Sequence, residues 1–295
     1  MRIAALRHGG EDRLALVEGG LLRLLPQASG DLLDVIAAGN DAVLTPGPEH
    51  VMLSEAELLP PLQRFRRDLL CAGWNYWDHF EEGRGRRDGQ EVDRPEHPTF
   101  FTKGPDTVIA PFADIAFDPV ISAKWDYEVE LALIIGRGGR NISPDRALSH
   151  VFGYCLANDV SQRDLQRAHG GQWLKGKSID ATMPLGPYVV TADEIDPQDV
   201  TIECMLNGEV VQSASTRLMA FSAAQLISEL SFGMTLRPGD VLLTGTPAGV
   251  GNARTPQLFL KDGDELITRS PELGEMRSVV RLTDLHTPTD QGDDR

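Results

Sequence analysis

The chain has 295 residues, 41% hydrophobic and 24% charged, the balance of a globular protein with one large domain or a small one plus a large one. Its formal net charge of −16 opposes nucleic acid and anionic membrane, which carry the same sign, and favours capture of cations. Cys71, Cys155 and Cys204 lack zinc-ligand or redox spacing and fit a reducing cytoplasm, the N-terminus has no signal-peptide apolar core, and no apolar run nears the ~20 residues that cross a bilayer.

Residues 1 to 65 read as a small, separate β-rich N-terminal domain. Arg2 to Leu6 and Arg13 to Val17 are predicted strands around a His-Gly-Gly turn, Leu21 to Leu25 follows a Gly-Gly turn, and Leu32 to Ala38 is a short helix. No chemical constellation stands out here, so packing or dimerisation is the expected role. The main domain is predicted over 66–284. Asp68 to Gly83 passes from an apolar strand into a polar, aromatic segment. Gly83 to Pro98 has many charges and one aliphatic residue, which predicts a mobile surface loop.

In residues 126–135, Asp126, Glu128, Glu130, Ala132 and Ile134 share one strand face and Tyr127, Val129, Leu131, Leu133 and Ile135 the other. Ser143-Pro144 predicts a capped helix start. Val151 to Ala157 is a second apolar strand, and Ser161 to Ala168 a helix ended by Gly170-Gly171. Strands dominate after Pro187, with a hairpin at Asn207-Gly208. An amphipathic helix is expected over Ala220 to Leu230, with closing strands over Leu258 to Thr268 and Met276 to Leu282. Residues 285–295 form a polar tail expected to fray. Scattered strands with few helices predict an α+β, predominantly β fold rather than a doubly wound sheet.

Two glutamates at i and i+2 of a strand point the same way, with Cα atoms about 6.5–7 Å apart. A Glu-x-Glu pair is most often a solvated face. Here the face runs on into Ala132 and Ile134, and Asp159 follows an apolar strand, where ligands are commonly presented. If the three carboxylates meet, each pair at ~4 Å repels by ~1 kcal/mol in water and ~4 at an effective dielectric of 20. A divalent cation, protonation or wide separation must resolve such a cluster. All-oxygen ligation favours Mg²⁺ or Mn²⁺, with Ca²⁺ compatible, over zinc. Lys177 would balance the residual negative charge or bind an anionic substrate.

His79 and Glu82 lie three apart in DHFEE and share a face on a helical turn. A carboxylate beside imidazole fixes its tautomer and raises its basicity, which suits activation of water. Asp78 and Glu81 are alternative partners by spacing alone. Gly171 to Ser178, GQWLKGKS, matches the phosphate-binding pattern G-x-x-x-x-G-K-[ST] literally. The required preceding strand is missing, and Pro184 and Pro187 leave no room for the following helix.

The ordered motifs GWNYWDHFEE, DYEVELALIIG, NDVSQRDLQ, KGKSIDATMPLGP, the Asn-Gly hairpin and PGDVLLTGTPAGVG resemble the fumarylacetoacetate hydrolase family over roughly residues 69–282. The resemblance implies a mixed, strand-rich roll with short peripheral helices, usually a homodimer. It implies Glu128, Glu130 and Asp159 as metal ligands and His79 and Glu82 as the water-activating pair on a lid. It further implies Lys177 as the active-site lysine, with Gln166, Thr246 and Tyr76 at substrate-contacting positions. Asn75 stands where some members carry a metal-binding aspartate, and KGP at Lys103 to Pro105 replaces Lys-Pro. The expected function is metal-dependent hydrolytic C–C cleavage of an acylpyruvate- or fumarylpyruvate-type 2,4-dioxo acid. Decarboxylation of a 2-oxo diacid, or enol–keto isomerisation of an oxaloacetate- or hydroxymuconate-type substrate, is the alternative on the same site. A nucleotide hydrolase and a non-catalytic scaffold are the readings from other classes.

Overall fold

The computed structural model describes residues 1–26, 30–39, 44–86 and 91–289. The fold is α+β and mainly β. The larger sheet runs in spatial order through His50–Met52, Leu21–Leu24, Glu11–Glu18, Arg2–His8, Met183–Thr191, Val151–Asn158, Val129–Ile135, Val241–Leu243, Leu69–Gly73 and Thr99–Lys103. Most pairs are antiparallel, but Val241–Leu243 and Leu69–Gly73 run parallel. A five-stranded sheet of Glu209–Ser215, Thr201–Leu206, Glu265–Ser270, Gly274–Leu282 and Ile115–Phe117 packs beside it. The helices are short: α1 Leu32–Ala38, α2 Trp77–Glu82, α3 Pro144–Ala147, α4 Arg163–Ala168 and α5 Ala223–Ser231.

The alternation over 126–135 produces a strand whose two faces enter different cores. Tyr127, Val129, Leu131, Leu133 and Ile135 belong to the core shared with the five-stranded sheet. Ala132 and Ile134 join a second core with Ile3, Ala5, Leu14 and Leu16 from the N-terminal strands. The first 65 residues connect to the rest through Arg2–His8, where Arg2 and Ile3 pair with Val190 and Val189 of Met183–Thr191. Burial on both faces holds the whole strand Val129–Ile135 away from water, which fixes its register.

Several predicted boundaries move, each for a tertiary reason. Ser161 and Gln162 are extended because they pair with Asp126 and Trp125, so α4 starts at Arg163. The predicted helix over 220–230 starts at Ala223, after a capping box formed by Ser222 and Gln225. The preceding Ala220 and Phe221 N–H groups are used on Asn75. The strand expected from Leu258 begins only at Glu265, because Leu258 and Leu260 bond to the backbone of Gly251 and Trp125 instead. Ser143 sits at the N-cap of α3 without a side-chain bond to it. Asn207 and Gly208 both take positive φ, 52° and 83°, as a tight hairpin turn between twisted strands requires.

Within the expected surface loop 83–98, residues 87–90 lie outside the described residues, as do 290–295 of the expected tail. Asp118 holds the beginning of that tail, accepting from the Leu285 N–H at 2.9 Å and His286 Nδ1 at 2.8 Å. No helix among the described residues is long and apolar enough to cross a membrane.

Candidate active site

Antiparallel pairing of Val129–Ile135 with Val151–Asn158 sets Val129 opposite Asn158 and Glu130 opposite Ala157. Asp159, one residue beyond the second strand, therefore lands beside the start of the first, where its N–H donates to the Glu128 carbonyl at 2.8 Å. Carboxylate oxygens of Glu128, Glu130 and Asp159 lie within 4.8 Å of one another. The three residues are 4%, 1% and 0% exposed, so water cannot screen their mutual repulsion.

Three buried cations offset them. Lys177 Nζ donates to Glu128 Oε2 and Asp159 Oδ2, both at 2.6 Å. Lys103 Nζ is 2.9 Å from Asp159 Oδ1, while its N–H groups aim at the carbonyls of Val160, at 3.0 Å, and Lys177. Arg163 lies between acids, with Nε donating to Asp126 Oδ2 at 2.8 Å and Nη2 2.6 Å from Glu128 Oε1. Counting Asp126, four carboxylates face three cations, one negative charge in excess when all are ionised. Three of these acids and Lys177 are marked by the sequence. Asp126 was visible on the same strand face. Lys103 and Arg163 were visible only as letters within KGP and QRDLQ.

The excess falls on Glu130. Burial raises the Glu128 carboxyl, but Lys177 and then Arg163 outweigh this and hold it down to about 2. For Lys177, burial acts downward, yet Asp159 and Glu128 keep the ammonium above its usual value. The Glu130 carboxyl is pushed well above the carboxylate range by burial, then by Asp159 and Glu128. Its Oε2 accepts from the Gly245 N–H at 2.6 Å, and no Lys or Arg among the described residues pairs with it. A carboxylate held here as an anion needs a further cation. The all-oxygen donor set fits a hard divalent ion.

One wall of the same pocket comes from α2. His79 Nδ1 bonds to Glu82 Oε1 at 2.8 Å, and Glu82 Oε2 accepts from the Gly249 N–H at 2.8 Å. Because the carboxylate accepts, Nδ1 carries the proton and Nε2 is left for the pocket. The alternative partner Glu81 is committed to Arg84 and Arg94. The pocket is lined by His79, Glu128, Glu130, Lys177, Gln166 and Thr246, among others. Arg163 Nη1 donates to Gln166 Oε1 at 3.2 Å. The Thr246 hydroxyl is already engaged, donating to Val129 O at 2.9 Å and accepting from Gln212 Nε2 at 2.8 Å. Tyr76 is buried behind this lining, with a hydroxyl that has no hydrogen-bond partner.

Two sequence features have structural roles. Asn75 does not face the carboxylates. Its amide donates to Phe221 O and Thr244 O at 3.0 and 2.8 Å and accepts from the Phe221 N–H at 2.8 Å. Gly245 touches it so closely that a Cβ there would lie 2.8 Å from Asn75 Cβ, and its φ of +95° favours glycine besides. Gly171 to Ser178 is no phosphate loop. Leu174–Gly176 is a single 3₁₀ turn, no helix follows, and the lysine ammonium is locked onto carboxylates.

Residues 68–281 match the family model described as the C-terminal domain of fumarylacetoacetate hydrolase. The chain is 44% identical over 229 residues to oxaloacetate tautomerase YisK of Bacillus subtilis, covering 77% of this chain and 74% of that protein. It is also 44% identical over 229 residues to the human mitochondrial oxaloacetate tautomerase FAHD2A, covering 77% and 70%. Among solved structures, a fumarylacetoacetate hydrolase from Exiguobacterium antarcticum superposes with a TM-score of 0.84 at 38% identity, covering 96% of this chain and 100% of that one. Ordered motifs, a mixed-sheet fold and a buried carboxylate triad beside a lysine thus converge with these likenesses, and the chain belongs to the fumarylacetoacetate hydrolase family.

Proposed function

We propose that this protein is an enol–keto tautomerase of a short 2-oxo diacid of the oxaloacetate type. The observation that carries the reading is that Glu128 and Glu130 of a buried carboxylate triad line one pocket together with His79, which Glu82 holds. The hydrolase expectation from the motifs gives way to its alternative because the curated relatives at 44% identity are named oxaloacetate tautomerases.

Glu128, Glu130 and Asp159 would hold the metal, Mg²⁺ or Mn²⁺ by donor type, with Ca²⁺ compatible. When bound, such an ion supplies Lewis acidity toward the carboxylate and 2-oxygen of the substrate. In the enol-to-keto direction the enol O–H gives its proton to solvent as C2 becomes a carbonyl, and C3 gains a proton from imidazolium His79, which solvent reprotonates, with no net water or oxidant consumed. His79 Nε2 moves the proton at C3. Glu82, fixed by the Gly249 N–H, keeps the imidazole oriented and stabilises its cationic form. Lys177 and Arg163 stabilise negative charge as it develops on the substrate oxygens. Gln166 contacts substrate from the pocket wall, Tyr76 backs that wall with its unpartnered hydroxyl rather than reaching substrate, and Thr246 contributes wall rather than a hydroxyl donor.

A second reading, hydrolytic C–C cleavage, is favoured by the same dyad, which is built to activate water. Residues 66–284 carry the site in either case, and residues 1–65 serve packing in a homodimer, which sedimentation equilibrium tests. The functional test follows enol absorbance of oxaloacetate with Mg²⁺ or Mn²⁺, beside product assays on acylpyruvates. Tautomerisation above the buffer rate without release of pyruvate or CO₂ is expected. Acylpyruvate cleavage with oxaloacetate tautomerising only at the buffer rate would replace this reading with the hydrolase.

A further inference from the structure

Arg86 lines the same pocket as Glu128, Glu130 and Lys177. Its guanidinium donates to Asn252 O at 3.3 Å and Thr255 Oγ1 at 2.7 Å, both neutral acceptors. These bonds use two of its five N–H donors. Arg86 has no acidic partner among the described residues. Among the arginines near it in sequence or in the pocket, Arg84, Arg94 and Arg163 do pair with carboxylates. The position is also fixed from several sides. The Arg86 N–H bonds Gly83 O at 3.1 Å, and its carbonyl accepts from Arg167 Nη2. The loop that receives the side chain is held by Asp126, which accepts from the Gly251 and Asn252 N–H groups at 2.7 and 3.0 Å. A guanidinium held in place by neutral groups keeps its charge and its fork geometry for an anionic ligand, and a carboxylate is the anion it fits best.

We propose that Arg86 is a specificity-determining residue that selects 2-oxo diacids by binding the carboxylate remote from the 2-oxo acid end. The inference rests on the reading that this pocket takes a 2-oxo acid. It does not depend on whether that acid is tautomerised or cleaved.

The test compares oxaloacetate with its 4-methyl ester, which keeps the enol but loses the remote charge, on Mg²⁺-loaded wild type, Arg86→Met and Arg86→Lys. Wild type should prefer the diacid in kcat/KM by ~10- to 100-fold, the range of a charge-assisted hydrogen bond. Arg86→Met should collapse that ratio toward unity, and Arg86→Lys should restore part of it, chiefly through KM. An unchanged ratio in Arg86→Met, or equal losses on both substrates, overturns the assignment. If wild type turns over neither substrate, the tautomerase reading falls, and calorimetric affinities of the same two ligands decide the role of Arg86. A diacid preference lost in Arg86→Met then supports it, and equal or absent binding in wild type refutes it.

Discussion

The carboxylate floor and the α2 wall of the pocket are built in opposite ways. The floor sits on two long paired strands, and its acids and cations are almost fully buried and bonded to one another. The wall is a six-residue helix and the segment after it, with His79 and Glu82 side chains 13% and 21% exposed. The floor owes its geometry to sheet pairing. The wall owes its geometry to a few reaching contacts, chiefly the Gly249 N–H on Glu82. Charge storage is therefore placed on paired, buried strands, and proton movement on a short, partly exposed helix.

The largest effect is expected from breaking the floor. Lys103→Met removes a fully buried cation beside Asp159 and should destabilise the protein by ~3–5 kcal/mol in chemical denaturation, because a buried charge loses its partner. A loss below ~1 kcal/mol, the scale of an exposed pair, would mean that the floor is not the tightly balanced cluster described. Asp159→Asn should next weaken Mg²⁺ binding and abolish metal-stimulated turnover. Retained metal affinity there would move the site elsewhere.

Proton linkage sharpens the same contrast. Without a divalent ion, Glu130 holds a proton in the folded state to higher pH than in the unfolded chain, because of burial and its acidic neighbours. That contribution to stability is present at low pH and is lost as pH rises through the folded Glu130 range. Metal binding must displace the proton, so affinity should rise with pH and Mg²⁺ titration in buffers of different ionisation enthalpy should report proton release. No release would show that Glu130 is not a ligand. The smallest effect should come from Glu82, which acts on substrate only through His79. Glu82→Gln removes one charge-assisted bond, worth ~1.5–3 kcal/mol, and should slow turnover by ~10- to 100-fold with little change in metal affinity.

Much of the floor was legible in the sequence because periodicity of two is a local signal. Glu128 and Glu130 share a face by spacing, and Asp159 is marked by the apolar strand before it. The helix around His79 was equally legible, but its partner was not. Asp78, Glu81 and Glu82 are equivalent by spacing, and the choice depends on an N–H from Gly249, 167 positions away. Lys103 was out of reach for the same reason, since its bond to Val160 spans 57 positions. The place of Asn75 was not legible because a motif position says nothing about which neighbours satisfy an amide. Its partners at 221 and 244 turn it away from the acids. The reaction class was least legible of all, since hydrolysis, decarboxylation and tautomerisation draw on the same residue types.

The division of labour between floor and wall is tested most directly in His79→Ala, by calorimetric titration with Mg²⁺ and oxalate alongside the rate of oxaloacetate enol decay. The expected result is Mg²⁺ and oxalate binding as in wild type, with turnover lowered by ~10²- to 10⁴-fold, the usual contribution of a positioned acid–base group. Enol decay at the wild-type rate, or loss of metal binding together with activity, would contradict the account.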